Sequence, residues 1–253
     1  MDKILKNREF MKANFKVFEN FKTDQMKNVD PPELQKPVGK NVELIDLPNP
    51  KKFQLSNDNL RANILNRRSH RKFSSKPFSL EELGFLLWAT QGVKEVIKRN
   101  GKDYVTLRTV PSAGARHPFE TYLVIHNVET LTPGLYRYLG IEHKLAFLGK
   151  IADQKQKMIA AALDQKFAGE CAVVFIWSFI PYRTEWRYYL ASHKTALLDA
   201  GHICQNLYLA CEGVGAGTCA IAAYNQKLTD ELIGVDGIDE FSVYMSPAGH
   251  LPE

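Results

Sequence analysis

"PSAGARHPFETYLVI" (Pro111–Ile125) begins as a turn and ends as a strand. Pro111, Ser112, Ala113 and Gly114 are small or rigid, as a tight turn requires. "FETYLVI" is an apolar, β-branched and aromatic run fit for a sheet interior. Arg116 and His117 stand between the two halves, and no turn needs them. Small residues let a backbone approach something flat or bulky closely. The stretch therefore reads as a turn pressed against a partner and feeding a core strand.

Outward from it, the chain alternates irregularly between strands and helices. "CAVVFIWSF" (Cys171–Phe179) is almost wholly apolar, as expected of a central strand covered on both faces. "GLYRYL" (Gly134–Leu139) and "HKLAFLG" (His143–Gly149) read as a hairpin turning at Gly140 to Glu142, and "FSVYMSPAGH" (Phe241–His250) as a final strand. "SLEELGFLLWATQGV" (Ser79–Val93) reads as a helix. Ser79 and Glu82 make a capping box, Leu83, Leu86 and Leu87 form the buried stripe, and Gly92 is the stop. "IADQKQKMIAAALDQKF" (Ile151–Phe167) and "LTDELIG" (Leu228–Gly234) are helical. "HKTALLDAGHICQNLYLACEGVG" (His193–Gly215) is a long helix stopped by Gly213 and Gly215. Without strict β-α alternation the fold class is α+β.

The N-terminal part differs. Residues 1–28 are charged, with Ile4, Leu5, Phe10, Phe15, Phe18 and Phe21 spaced as in an amphipathic helix. A proline-rich stretch follows and reads as an extended linker on the surface. The expected organisation is a helix and linker over residues 1–55, packing on the body or on a partner subunit, and one compact domain over 56–253. "SNDNLRANILNRRSHRKF" opens that domain as a short helix with Leu60, Ile64 and Leu65 on one side.

Composition narrows the function classes. The chain has 253 residues, 45% of them apolar and 11% aromatic, enough for a real core. The net charge of +5 favours anionic partners in general but does not by itself indicate nucleic acid. No segment approaches the roughly 18 consecutive apolar residues of a membrane span. The charged N-terminus lacks a signal core. Cys171, Cys204, Cys211 and Cys219 form no C-x-x-C pair, so reduced, buried thiols and a cytoplasmic setting are expected. The histidines are scattered, and no metal site is expected.

Two short motifs carry possible chemistry. "RRSHRKF" (Arg67–Phe73) places Arg67, Arg68, Ser69 and Arg71 at a helix end. Arg67 and Arg71 share a side in a helix or in an extended chain, and Ser69 joins them if the chain is extended. They could hold a phosphate or carboxylate, or be a solvated basic helix end. "GVGAGT" (Gly213–Thr218) has Thr218 at the sixth position and follows a helix, so it is a helix stop and tight turn and not a dinucleotide fingerprint. No G-x-S-x-G elbow occurs.

Four ordered stretches, "RRSHRKF", "PSAGARHPFETYLVI", "LLDAGHICQNLYLACEGVGAGTCAIAAYN" (Leu197–Asn225) and "FSVYMSPAGH", together resemble the nitroreductase superfamily. "PSAGARHP" before a strand, then "GLYRYL", resembles its SagB/ThcOx-type branch. The resemblance implies a central, mostly antiparallel sheet flanked by helices, an intertwined homodimer, and FMN at two sites between subunits. It sets Pro111, Ser112, Ala113 and Gly114 against the flavin. Arg67, Arg68, Ser69 and Arg71 match the basic FMN-binding motif. Ala222 and Ala223 in "AIAAYN" fall where backbone N–H groups face flavin N5.

The implied activity is a ping-pong oxidoreductase. Electrons would pass from NADH or NADPH through the flavin to a small electrophile such as a nitroaromatic or quinone. The alternatives are oxidation of azoline rings in a modified peptide, or flavin binding without turnover. Three positions depart from the family pattern. Arg187-Tyr188 stands where azoline-oxidising members carry Lys-Tyr, and these two are the candidate catalytic residues. Arg stays protonated and is ill suited to a lysine's proton transfer. Ala115 replaces an Asn of many nitroreductases. No basic residue follows His250, so another residue is expected to complete the phosphate site.

Overall fold

The computed structural model describes residues 2–13 and 20–252. Helix α1 (Lys3–Phe10) is capped by Asp2 and buries none of its residues. Of the spaced apolar residues near it, Ile4, Leu5 and Phe10 are exposed, and Phe15 and Phe18 lie outside the described residues. The proline-rich stretch runs along the body, burying Leu34 and Leu47 and supplying a short strand, β1 (Leu44–Asp46).

Helix α2 (Leu60–Asn66) starts at Asn59, whose side chain accepts from the Ala62 N–H. It buries Asn63, while Leu60, Ile64 and Leu65 point to solvent in the single chain. Helix α3 (Leu80–Gln91) has both bonds of the Ser79–Glu82 capping box, and Gly92 ends it. Leu83, Leu86 and Leu87 are completely buried, each stabilising the fold by about 1.5–3 kcal/mol.

Strands β2 (Val93–Arg99) and β3 (Lys102–Arg108) form a separate two-stranded hairpin. The sequence reading did not anticipate it, although Asn100-Gly101 marks its tip with φ of 52° and 77°. Two successive positive φ values are what a tight hairpin turn needs.

The remaining elements are β4 (Phe119–Ile125), β5 (Gly134–Leu139), β6 (Lys144–Gly149), α4 (Gln154–Ala161), β7 (Val173–Phe179), α5 (Tyr182–Tyr188), α6 (Ser192–Gly213), β8 (Ala216–Thr218), α7 (Gln226–Ile233) and β9 (Phe241–His250). The main sheet runs β1-β6-β5-β4-β7-β9-β8. Its pairings are antiparallel throughout, so the fold is α+β with helices on both faces.

The period of two along β4 and β7 builds the two cores. Leu123 and Ile125 on β4, with Val173, Phe175 and Trp177 on β7, face Leu83, Leu86 and Leu87 of α3 and Ala196, Ala200, Ile203 and Leu207 of α6. Tyr122, Val124, Val174 and Ile176 point the other way, onto Met158 and Ala161 of α4 and Ile233 of α7. Helix α6 is thus fixed along one face of the sheet. At its end Gly215 turns with φ +69°, and "AGT" then pairs with β9 as the edge strand β8.

Candidate functional site

Arg116 and His117 turn out to be anchors inside the protein. Arg116 is buried, and its Nε donates to the Arg183 carbonyl and its Nη1 to the Tyr104 carbonyl, each at 3.0 Å. Its guanidinium lies 4.9 Å from the centre of the Trp186 ring. Burial pushes its pKa down to about 10; Tyr104 opposes this, and the like charges of Arg187 and Arg183 add to it. The His117 ring is buried at φ 44°, and burial with the Arg108 charge pushes its pKa down to about 2. Nearby, Arg183 pairs with Glu120 at 2.6 Å, both buried, and Glu120 also accepts the Lys36 N–H at 2.8 Å. The backbone between Pro111 and Phe119 is therefore bound from behind to α5 and to the β2-β3 hairpin.

The front of the turn is held by α6. The Ser112 hydroxyl donates to Asp199 Oδ2 at 2.6 Å, and the Ala113 N–H donates to Asp199 Oδ1 at 3.2 Å. Ser112 Oγ in turn accepts the His117 N–H at 2.9 Å. Burial raises the pKa of Asp199, and these two bonds oppose the rise. Pro111 is exposed. Gly114 adopts φ 60°, ψ 22°. A Cβ there would stand 2.5 Å from the Tyr188 hydroxyl and 2.9 Å from Arg187 Nε. The two candidate catalytic residues thus meet the small-residue turn directly.

Arg187 and Tyr188 close α5, with the guanidinium carbon 5.5 Å from the Tyr188 ring centre. No carboxylate among the described residues forms an ion pair with Arg187; the acid on its own helix, Glu185, is bonded to His193 at 2.7 Å. Tyr189 follows at φ 50°, ψ −130°, a region that non-glycine residues rarely enter and that tends to mark functional segments. Phe21 stacks on its ring with centroids 3.6 Å apart.

The basic motif forms a second group. The Arg67 guanidinium lies over the Tyr208 ring at 5.2 Å. Ser69 Oγ and the Tyr208 hydroxyl are 2.9 Å apart, and that hydroxyl accepts the Ala220 N–H at 2.9 Å. The segment is extended here: Ser69 bridges Thr218 beside β8, and the His70 N–H donates to the Thr218 carbonyl at 2.9 Å. The close approach needs Gly217, where a Cβ would come within 2.7 Å of the His70 ring. Arg68 and Arg71 are exposed. Among the described residues, Arg67, Arg68 and Arg71 form no ion pair with any carboxylate. An Arg67 guanidinium without a carboxylate partner, beside the Ser69 and Tyr208 hydroxyls, offers donors for an anion. Ala222 and Ala223 are exposed just beyond, and their N–H groups have no protein partner among the described residues.

The two groups hang on one helix but not at one place. Asp199 and Tyr208, which hold them, are about 13 Å apart along α6. Neither was singled out from sequence. The signal for Asp199 was an acid lying on the stripe that buries Ala196, Ala200 and Ile203. Among the described residues no group of three or more His, Cys, Asp or Glu is placed to hold a metal. The four cysteines are free and buried, and burial pushes the thiols of Cys171 and Cys204 up to about 12. Among the described residues no helix is long and apolar enough to cross a membrane.

The chain belongs to the nitroreductase family: the model of the Nitroreductase family matches residues 64–250. A Methanocaldococcus jannaschii protein named as nitroreductase MJ1384 is 30% identical over 188 residues, covering 74% of this chain and 88% of that one. Trifolitoxin operon protein TfxC of Rhizobium leguminosarum bv. trifolii is 23% identical over 198 residues, covering 74% of this chain and 54% of TfxC. A solved structure described as a nitroreductase from Anabaena variabilis superposes with a TM-score of 0.73 at 22% identity, over 96% of this chain and 45% of that one. The chain therefore spans about half the length of TfxC and of the Anabaena protein. The E. coli microcin synthetase McbBCD complex, solved with truncated pro-MccB17 bound, matches with a TM-score of 0.61 at 17% identity, over 95% of this chain and 82% of that one. The similarity to TfxC agrees with the narrower resemblance to the SagB/ThcOx-type branch, and the McbBCD match shows the fold.

Proposed function

We propose that the chain is an FMN-dependent oxidoreductase that takes electrons from NADH or NADPH and delivers them to a small electrophile such as a nitroaromatic or quinone. The observation that carries this reading is the Arg67 guanidinium over Tyr208 beside the Ser69 hydroxyl, in a segment whose Arg67, Arg68 and Arg71 have no carboxylate partner among the described residues, in a chain of the nitroreductase family. Its donor set fits a phosphate-bearing cofactor. When bound, FMN supplies hydride and electron transfer at its ring. Arg67, Arg71 and Ser69 would hold its phosphate, and the free N–H groups of Ala222 and Ala223 would donate to its ring. The backbone of Pro111 to Gly114, fixed by Asp199, supplies a flat wall.

The family reading adds a second copy of the chain that completes each site. The exposed Leu60, Ile64 and Leu65 of α2 and Leu197 and Leu198 of α6 give that homodimer an apolar surface to bury. Free, buried thiols suit a cytoplasmic enzyme.

The test is the visible absorption spectrum of the purified protein, taken anaerobically before and after NADH or NADPH. Flavin bands that bleach support the reading. A protein that stays colourless after incubation with FMN overturns it.

A second reading, oxidation of azoline rings in a modified peptide, is favoured by the likeness to the McbBCD complex, which holds a pro-peptide. Arg187 in place of a lysine weighs against it. Flavin bands that resist both nicotinamides but bleach with an azoline-containing peptide would decide for this second reading. Flavin bands that none of these reduces would leave a flavin-binding protein without turnover.

A further inference from the structure

We infer that the cavity between the proline-rich stretch and the β5-β6 turn is a binding site for a small amine with an apolar body. The cavity shares no residue with the Arg67–Arg71 segment or the Pro111–Gly114 turn, so it stands apart from the flavin reading.

The space measures about 500 Å³, within the range of small-molecule sites. Residues 31–38 line it without a break. Leu44 of β1, Asp103 of the β2-β3 hairpin, and Leu139, Ile141 and Glu142 around the β5-β6 turn complete the lining. Most of that surface is apolar: Leu34 and Leu139 are buried, and Pro31, Pro32, Pro37 and Ile141 join them.

Protein interiors are close-packed, so an apolar space of this size persists only where its walls are held apart. Here the body of the protein holds them. Arg108 Nη2 donates to the Leu34 carbonyl at 3.1 Å, and Arg137 Nη2 donates to the Lys36 and Pro37 carbonyls, each at 2.8 Å. Glu120 accepts the Lys36 N–H at 2.8 Å. Arg108, Arg137 and Glu120 are all buried. Gln35 spans to the β5-β6 turn: its Oε1 accepts the Ile141 N–H at 3.1 Å and its Nε2 donates to Glu142 Oε2 at 2.7 Å. The backbone of the stretch is thus fixed before any ligand arrives, and a preformed site saves the ordering cost of binding.

Charge selects the ligand. The lining carries the carboxylates of Glu33, Asp103 and Glu142 and the ammonium of Lys36. Lys36 Nζ is bonded to Glu240, and Asp103 pairs with Lys98 at 3.7 Å. Among the described residues Glu33 and Glu142 form no ion pair, and Glu142 has only the neutral Gln35 amide. Two uncompensated carboxylates therefore share the lining with apolar surface. An ammonium on an apolar body complements both features, a neutral analogue gains only the burial, and an anion is repelled.

The experiment is isothermal titration of the purified protein, as isolated, with tryptamine, its neutral analogue tryptophol and the anionic indole-3-propionate. Tryptamine is expected to bind with a dissociation constant below about 1 mM, tryptophol about threefold to tenfold weaker, and indole-3-propionate weaker still. Glu33→Gln combined with Glu142→Gln is expected to bring tryptamine and tryptophol within about twofold of each other. Ile141 is an exposed part of the lining, and Ile141→Arg is expected to weaken tryptamine by about tenfold or more, with melting temperature and flavin content retained. No tryptamine binding below about 1 mM, equal binding of tryptamine and tryptophol, a cation preference that survives the double variant, or tryptamine affinity unchanged in Ile141→Arg would each overturn the assignment.

Discussion

The Tyr188 hydroxyl rests against Gly114, so close that a Cβ on residue 114 would stand 2.5 Å from it. This one relationship ties the turn to the end of α5, and Gly114 also holds φ 60°. Gly114→Ala should cost about 1–3 kcal/mol of stability from the backbone and the contact together. The collision involves the hydroxyl, so Tyr188→Phe should relieve part of it. A double-mutant cycle followed by urea unfolding is expected to show Gly114→Ala costing less in the Tyr188→Phe background. Equal costs in both backgrounds would mean that the hydroxyl contact carries no energy.

The cation group makes a separate prediction. Arg71→Ala and Arg67→Ala should each weaken retention of FMN by about tenfold or more while the unfolding free energy of the flavin-free protein stays within about 1 kcal/mol of wild type. Arg67→Ala also removes the stacking on Tyr208, so its effect should be the larger. Flavin occupancy after dialysis reads this directly. Unchanged occupancy in both variants would move the phosphate elsewhere.

The interior pair makes a third. Arg183 and Glu120 are buried and bonded at 2.6 Å, and Glu120 takes a further bond from Lys36. Removing one member leaves the other charge stranded in low dielectric. Glu120→Ala is expected to lose about 3–5 kcal/mol in chemical denaturation. Replacing both partners together by apolar residues should lose less than Glu120→Ala alone.

The sheet and its helices were legible because burial leaves a strong pattern. "FETYLVI" and "CAVVFIWSF" are apolar on both faces since both faces are covered, and the Ser79–Glu82 box marks a helix start by its own hydrogen bonds. The β2-β3 hairpin was not legible. Its strands carry Lys94, Glu95, Lys98, Lys102 and Asp103 and are mostly exposed, which hides the alternation, and only Asn100-Gly101 signalled the turn. Helix α2 was placed by its apolar residues, yet it exposes Leu60, Ile64 and Leu65 and buries Asn63. For the site, sequence could list the pieces that resemble the family's motifs. It could not say that Gly114 meets Arg187 and Tyr188, or that Asp199 and Tyr208 hold the two groups, because those contacts join residues far apart in the chain.

His117 makes the last prediction, on acidity. Its pKa falls from 6.5 to about 2 on folding, because burial and the neighbouring Arg108 disfavour the charged ring. The unfolded chain therefore binds a proton between pH 6.5 and about 2 that the native protein does not. Stability is undiminished by this group above pH 6.5, and as the pH drops below that value it falls by about 1.4 kcal/mol per pH unit. His126 and His143 are shifted in the same direction, chiefly by burial, and add to the slope. Urea titrations at pH 7, 6 and 5 should show the midpoint dropping at each step. His117→Asn removes the titrating ring and tolerates the φ of 44°, so it should flatten that dependence even where its stability at pH 7 is lower. A variant with the wild-type slope would place the acid sensitivity in other groups.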